Sequence, residues 1–272
     1  MSTIIKDDKY KILLRNLKEL SPFVIAFSGG VDSTFLTAAA QKAGAEFEAV
    51  TVNTAFVPDR EIDEVNTLAK QLDFAHQEIK VELDELEKAL KNEAERCYHC
   101  KKIIFSKIKA YAGDKIIIEG SNLDDSSDYR PGRKALREMG VKSPLLDVGL
   151  NKYEIRELSR EMDLETWNKP SMSCLATRVS YNNSITKDKL EQIELSEEIL
   201  RRNGFRNFRV RYHNNLARIE LGEKERDNIF DIELMDKIHD RLQKLGFKYV
   251  TLDLSPYKSG SMNKEILEEE DV

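Results

Sequence analysis

The sequence predicts an α/β protein, a parallel-sheet domain followed by a second, smaller α/β domain. Three observations carry that prediction. Short apolar runs alternate with amphipathic helical stretches through the first half of the chain. The first run, Phe23 to Phe27, breaks into Ser28-Gly29-Gly30-Val31-Asp32-Ser33, a glycine turn that opens a helix. From about Lys187 the pattern changes to one long helix, two paired strands, a helix and a last strand.

The elements follow in order. Lys11 to Leu20 patterns as a leading amphipathic helix, and Phe23 to Phe27 as a strand covered on both faces. After the glycine turn, Phe35, Leu36 and Ala38 to Ala40 mark a helix. Phe47 to Val52 is a second strand. Asp59 to Leu72 is a helix with Ile62, Val65, Leu68, Ala69 and Leu72 on one face. Phe74 to Val81 is a third strand, Leu83 to Leu90 and Cys100 to Tyr111 are helical, and Lys115 to Glu119 is a fourth strand. A polar loop, Ser121 to Gly132, precedes helices near Lys134 to Met139 and Lys152 to Met162. Trp167 to Thr186 is irregular. The helix from Lys187 to Arg202 stops at Asn203-Gly204. Strands at Phe208 to Tyr212 and Ala217 to Leu221, a helical segment to Leu242 and a strand from Tyr249 complete the second domain. The boundary falls at 186/187, giving domains 1–186 and 187–272.

The bulk numbers set limits. A chain of 272 residues, 40% hydrophobic and 34% charged, suits one large or two ordinary globular domains. No apolar stretch approaches the ~20 residues that cross a bilayer, and Met1 to Tyr10 lacks an apolar leader core, so a cytoplasmic protein is expected. A net charge of −6 argues against a broad nucleic-acid surface. The acidic run Glu268 to Asp271 patterns as a solvated tail.

The glycine turn is the strongest chemical signal. Free N–H groups at a helix start, with the positive end of its dipole, attract an anion. The string lacks the Gly-Lys-Ser/Thr of the common phosphate loop. It matches SGGxDS, the motif of the PP-loop ATP pyrophosphatases, which resembles a cradle for the two terminal phosphates of ATP. Ser28, Gly29, Gly30, Asp32 and Ser33 are the candidate ATP contacts, with Asn53 and Gly120 at neighbouring strand ends. Asp32 is a candidate Mg²⁺ ligand; a helix-start charge is the plain alternative.

Cys97 and Cys100 form Cys-Tyr-His-Cys, and Cys174 lies far along the chain. A redox dithiol, a zinc site including His99, an iron–sulfur cluster and buried fillers all remain open on the residues alone.

The chain as a whole resembles the LarE family, sulfur transferases that build the nickel-pincer nucleotide. The resemblance lies in Phe27 to Thr34, Asp128-Tyr129-Arg130-Pro131-Gly132, Trp167-Asn168-Lys169, Ser173-Cys174 and Arg178. It continues in Val210 to Asn214, Ala217 to Leu221 and Tyr249 to Asp253. It implies a PP-loop (adenine nucleotide alpha hydrolase-like) domain and a small α/β domain. It implies adenylation of the carboxylates of pyridinium-3,5-biscarboxylic acid mononucleotide by ATP with Mg²⁺, then displacement of AMP by sulfur. In one branch a single cysteine matching Cys174 gives up its own sulfur. Three cysteines here resemble the other branch, in which Cys97, Cys100 and Cys174 would hold a [4Fe-4S] cluster.

Cys174, Arg178 and Asp32 are then the candidates for chemistry. Arg130, Arg133, Arg209, Arg211 and Lys258 are candidates for holding an anionic substrate. Solvated cations or structural ion pairs are the competing explanation for each. Glu197 and Glu220 are candidates for binding a cation in the second domain, with exposed helix and strand positions as the plainer reading. The partners expected are a small nucleotide substrate, a sulfide or sulfur donor and further copies of the chain, without nucleic acid or membrane. A PP-loop tRNA thiolase is the alternative, and a non-catalytic nucleotide- or metal-binding protein a third reading.

Overall fold

A computed structural model describes residues 2–127, 131–170 and 173–258. The elements run α1 (Ser2–Leu20), β1 (Phe23–Ala26), α2 (Val31–Lys42), β2 (Phe47–Thr54), α3 (Asp59–Gln71), β3 (His76–Val81), α4 (Glu87–Leu90), α5 (Arg96–Ala112) and β4 (Ile116–Ile118). They continue with α6 (Pro131–Glu138), α7 (Pro144–Asp147), α8 (Lys152–Glu161), α9 (Lys187–Arg202), β5 (Phe208–His213), β6 (Leu216–Leu221), α10 (Ile232–Lys244) and β7 (Tyr249–Leu252). No helix among the described residues is long and apolar enough to cross a membrane.

The chain divides into two compact units, one of 1–86 with 97–172, the other of 87–96 with 173–272. The first is built on a sheet ordered β3-β2-β1-β4, parallel throughout. The strand order reverses around β1, whose two neighbours are β2 and β4. Open parallel sheets bind ligands outside the carboxyl ends of their strands at such a reversal. The glycine turn leaves β1 at that point.

Burial explains the strand and helix patterns. Phe23, Val24 and Ile25 of β1 are fully buried. Phe23 and Ile25 share a core with Leu13 and Leu17 of α1, Phe35, Leu36 and the alanines of α2, and Ile155 and Leu158 of α8. A second cluster sets Val65 and Leu68 of α3 against Phe27 and Ala49. Three alanines in succession, Ala38 to Ala40, let α2 lie deep in the unit, with its hydroxyls folded back: Thr37 Oγ1 donates to Ser33 O at 2.8 Å. The start of α8 is fixed by a reciprocal cap, Asn151 accepting from Glu154 N while Glu154 accepts from Asn151 N.

The second unit carries an antiparallel β5–β6 pair, closed by Asn214-Asn215, with β7 parallel to β6. Asn214 sits at φ 55°, a conformation asparagine tolerates. Its core joins Leu200, Phe205, Phe208, Val210, Ile219, Leu242 and Phe247. The sequence boundary at 186/187 lies inside this unit, because 173–186 is tied to it by side chains rather than by any compositional signal. Asn92, fully buried at φ 61°, donates through Nδ2 to the carbonyls of Val179, Ser180 and Asn183. Its own carbonyl accepts from Asn182 N. Arg96 donates to Asn92 Oδ1 and to Ala176 O.

Asn92→Ala strips these carbonyls of their donor and forces a β-carbon-bearing, non-polar residue into a left-handed site. A loss of about 2–4 kcal/mol is expected, read as a lower urea midpoint at constant m-value. Asn92→Gly, which relieves the backbone, should recover only part. A midpoint unchanged in Asn92→Ala would refute this account of the 173–186 segment.

Candidate functional site: a phosphate cradle and a buried arginine cluster

Gly29 adopts φ +66°, and a Cβ there would come within 2.6 Å of Val65 Cγ2. Only glycine fits this turn against α3. Gly30 is the N-terminal cap of α2 in extended geometry. Ser33 Oγ accepts from Ser28 N at 3.2 Å and lies 3.1 Å from Ser28 Oγ, closing the loop on itself. The Ser28 N–H is therefore used inside the loop. Gly30 leads directly into the first turn of α2, where the leading N–H groups of a helix have no intrahelical acceptor. Gly120, at the end of β4, packs on α2; a Cβ on it would lie 3.0 Å from Ser33 N.

Asp32 opens α2. Its Oδ2 pairs with Lys152 Nζ at 2.5 Å, and its Oδ1 is buried with no hydrogen-bond partner. Burial pushes its carboxyl above the usual range, and the neighbouring Lys152 ammonium opposes that shift. Lys152 is held in turn, its backbone N–H donating to Asp124 Oδ2 at 2.9 Å. A second lysine, Lys169, donates to Gly29 O at 3.1 Å and pairs with Glu64 at 3.0 Å. Sequence reasoning gave neither lysine a role, although Lys169 stands in the quoted Trp167-Asn168-Lys169 string.

Asn53 ends up half-buried near the end of β2, donating to Glu78 Oε1 at 2.8 Å. Asn66 donates to the other oxygen, and the two amides hold the Glu78 carboxyl below its ordinary range.

Cys97 and Cys100 both lie on the first turn of α5, half-buried. The helix begins four residues earlier than the sequence pattern suggests, so their three-residue spacing puts both thiols on one helix face. Gly132 brings α6 close to them: a Cβ there would be 3.6 Å from Cys97 O. Arg133 follows on the first turn of α6 and donates to Asp125 O at 3.2 Å. Arg130 lies outside the described residues, as does the acidic run 268–271. Within either unit, among the described residues, no three His, Cys, Asp or Glu side chains gather as a metal-binding group.

The second unit gathers most of the remaining candidates. Cys174 caps the 3₁₀ turn Leu175–Arg178, half-buried. Arg178 is 4% exposed and forks onto Glu197, Nε to Oε1 at 2.8 Å and Nη2 to Oε2 at 3.0 Å. Its Nη1 donates to Ser173 O, Ser173 Oγ, Cys174 O and Thr177 Oγ1. Arg178 thus grips the backbone on both sides of the Cys174 side chain. Arg209 donates to Ser173 Oγ at 3.3 Å, and Arg211 to Thr177 O at 2.8 Å. The alternation along β5 turns both arginines to one face, where Tyr257 stacks 4.5 Å from the Arg209 guanidinium and 6.0 Å from that of Arg211. Lys258 is exposed beside Tyr257.

Glu197 and Glu220 are buried, not exposed, a correction with a clear cause. Each is the counter-ion of a buried arginine: Glu220 Oε2 accepts from Arg211 at 2.7 Å and its Oε1 from Arg218 at 3.0 Å. Burial alone would raise the Glu197 carboxyl, but Arg178 and Arg209 hold it below the ordinary range. Burial and the like charge of Arg178 lower the affinity of Arg209 for its proton. A cationic, desolvated face beside Cys174 is suited to carboxylates and phosphates.

The parallel sheet whose order reverses at the Ser28-Gly29-Gly30-Val31-Asp32-Ser33 turn, together with a family match that covers this turn, makes this an α/β protein of PP-loop type. A family model described as queuosine biosynthesis protein QueC matches residues 22–102, the stretch that holds the cradle. The chain is 35% identical over 260 residues to pyridinium-3,5-bisthiocarboxylic acid mononucleotide synthase of Lactiplantibacillus plantarum, covering 94% of each. It is 34% identical to an uncharacterized protein of Synechocystis sp., over 95% of this chain and 98% of that one. An uncharacterized protein of Methanocaldococcus jannaschii is 32% identical, over 91% and 96%. The chain belongs to the LarE-like family of PP-loop sulfur transferases.

Proposed function

We propose that the protein adenylates the carboxylates of pyridinium-3,5-biscarboxylic acid mononucleotide with ATP and converts them to thiocarboxylates. The observation that carries this is the chain-long likeness to the L. plantarum synthase, joined to a phosphate cradle at the sheet reversal. A free carboxylate resists attack because its charge is delocalised. Transfer of AMP to it breaks the α–β bond of ATP, releases pyrophosphate and leaves an acyl adenylate. A sulfur nucleophile then displaces AMP.

The chain's own groups have defined tasks in this scheme. The N–H groups of Gly30 to Ser33 receive the terminal phosphates and stabilise the charge of departing pyrophosphate. The buried, unpartnered Asp32 Oδ1 is the kind of oxygen that Mg²⁺ takes, and Mg²⁺ bound there would neutralise phosphate charge. Asn53 and Gly120 edge the adenosine side. Arg209 and Arg211 bind the anionic substrate, with Arg130, Arg133 and Lys258 as further cations. Arg178 orients the segment that carries Cys174.

Cys97, Cys100 and Cys174 are the proposed ligands of a [4Fe-4S] cluster. Two thiols three apart on one helix turn, half-buried beside the cationic start of α6, fit thiolate ligation. A cluster with three protein thiolates keeps one iron for an exogenous ligand, so the chemistry it supplies is a renewable sulfur.

The test is anaerobic reconstitution with iron and sulfide, followed by ATP, Mg²⁺ and the dicarboxylate mononucleotide. About four irons per chain are expected in the parent, and markedly less in Cys97→Ala, Cys100→Ala and Cys174→Ala. Pyrophosphate should appear with substrate, and thiocarboxylate should form over many turnovers when sulfide is supplied. Equal iron in all three variants would overturn the cluster, and so would a single turnover that strips the sulfur from Cys174. Absence of substrate-dependent pyrophosphate would overturn the adenylation.

A further inference from the structure

We propose that Lys169 is a positioning residue of the cradle: by holding the Gly29 carbonyl it aims the Gly30 N–H at the nucleotide phosphates. The peptide unit is planar. In a trans unit the carbonyl of one residue and the N–H of the next point in opposite directions. Fixing the Gly29 oxygen therefore fixes the Gly30 N–H. That choice is not made by the glycines, which rotate with little steric cost.

The structure supplies the fixing group. Lys169 Nζ donates to Gly29 O at 3.1 Å, and Glu64 Oε2 holds the same ammonium at 3.0 Å. Glu64 precedes Val65, the residue whose side chain crowds Gly29. One turn of α3 thus supplies both the steric wall and the anion that anchors the lysine. The main chain of Lys169 is anchored separately: Arg156 Nη2 donates to Lys169 O at 2.8 Å and Nη1 to Trp167 O at 2.6 Å. With both ends held, the ammonium is a fixed donor. Gly29 is buried, so water is a poor substitute for it. Among the described residues the Gly30 N–H has no partner, as a donor kept for a ligand requires.

The inference rests on the glycine turn being a nucleotide cradle. The experiment measures ATP, pyrophosphate and AMP binding to the parent, Lys169→Met, Lys169→Arg and Glu64→Gln by titration calorimetry. It is accompanied by amide spectra of ¹⁵N-glycine-labelled protein. Lys169→Met should weaken ATP and pyrophosphate by about tenfold or more while AMP, which lacks the phosphates the cradle receives, binds as to the parent. Its Gly30 amide resonance should move. Lys169→Arg, which still donates to a carbonyl and pairs with Glu64, should restore most of the affinity.

Glu64→Gln separates this role from direct phosphate contact. A lysine that works through the Gly29 carbonyl loses its anchor, so ATP binds more weakly. A lysine that touches phosphate loses a competitor, so ATP binds more tightly, and that result would overturn the proposal. Equal loss of ATP and AMP, or parent-like ATP affinity in Lys169→Met, would also overturn it. Should Lys169→Met fail to fold, Lys169→Arg and Glu64→Gln carry the test. A parent that does not bind ATP refutes the cradle itself, a result distinct from a parent that binds and a Lys169→Met that binds equally well.

Discussion

Glu197→Gln is expected to be among the most destabilising single substitutions in the second unit. Glu197 is 5% exposed and accepts two charged hydrogen bonds from Arg178 and one from Val210 N. Removing its charge leaves the Arg178 guanidinium buried without its counter-ion, a loss of about 3–5 kcal/mol. For a unit of this size that lowers the Tm by more than about 10 °C. The acid dependence has a definite sign. Because the folded carboxyl lies below its ordinary range, the pair contributes fully above the unfolded value, about pH 4.3, and its contribution is lost as pH falls through the folded value. The gap in Tm between parent and Glu197→Gln should therefore be widest near neutrality and narrow below about pH 4. A gap that is small at pH 7, or constant down to strong acid, would show that Arg178 finds another anion.

The elements of the sheet were legible because their signals are local. Burial on both faces left near-continuous apolar strands such as Phe23 to Ile25, and the glycine turn left a string with one structural use. Helix α9 spans the Lys187–Arg202 stretch that the sequence pattern and the Asn203-Gly204 stop predict, and the structure adds a Thr186 side-chain cap at its start. The start of α5 was not legible. Arg96 and Cys97 carry no capping signal, and that turn is held by Arg96 bonding to Asn92 and to Ala176, eighty residues away. The division of the chain was hidden for the same reason. Asn92 joins two distant segments through one buried amide, and no linker composition announces it.

The site shows the same split. Ser28 to Ser33 and the alternation of Arg209 with Arg211 follow from spacing alone. The charge state of each group does not, because it depends on partners far away in sequence. Glu197 and Glu220 occupy helix and strand positions that look exposed until Arg178 and Arg211 are seen to need them. Lys152 and Lys169 look like two of many surface lysines; only the fold sets their ammonium groups on Asp32 and on the Gly29 carbonyl. A sequence shows the glycines and hydroxyls of the turn. The two lysines that meet it come from elsewhere in the chain.

Gly29→Ala should weaken ATP binding by about tenfold or more while leaving the chain folded. The added Cβ would sit 2.6 Å from Val65 Cγ2, and the backbone at φ +66° disfavours any β-carbon. The left-handed conformation costs an alanine roughly 1–2 kcal/mol, and the extra methyl against a packed valine adds about 1–3 kcal/mol. Val65 is 2% exposed and locked against Phe27, Ala49 and Leu68, so α3 does not retreat without opening that cluster. The cheaper relief is rotation of the turn. It pulls the Gly29 oxygen off Lys169 and swings the Gly30 N–H out of the cradle. ATP affinity should therefore fall by about tenfold or more even where the Tm falls only a few degrees. Val65→Ala in the same chain removes the clash but not the backbone cost. The double variant should then be more stable than the sum of the two single losses predicts, a coupling of about 1 kcal/mol or more. Strict additivity would mean that Gly29 and Val65 do not constrain each other, and parent-like ATP binding in Gly29→Ala would mean that the turn does not need its left-handed peptide to receive phosphate.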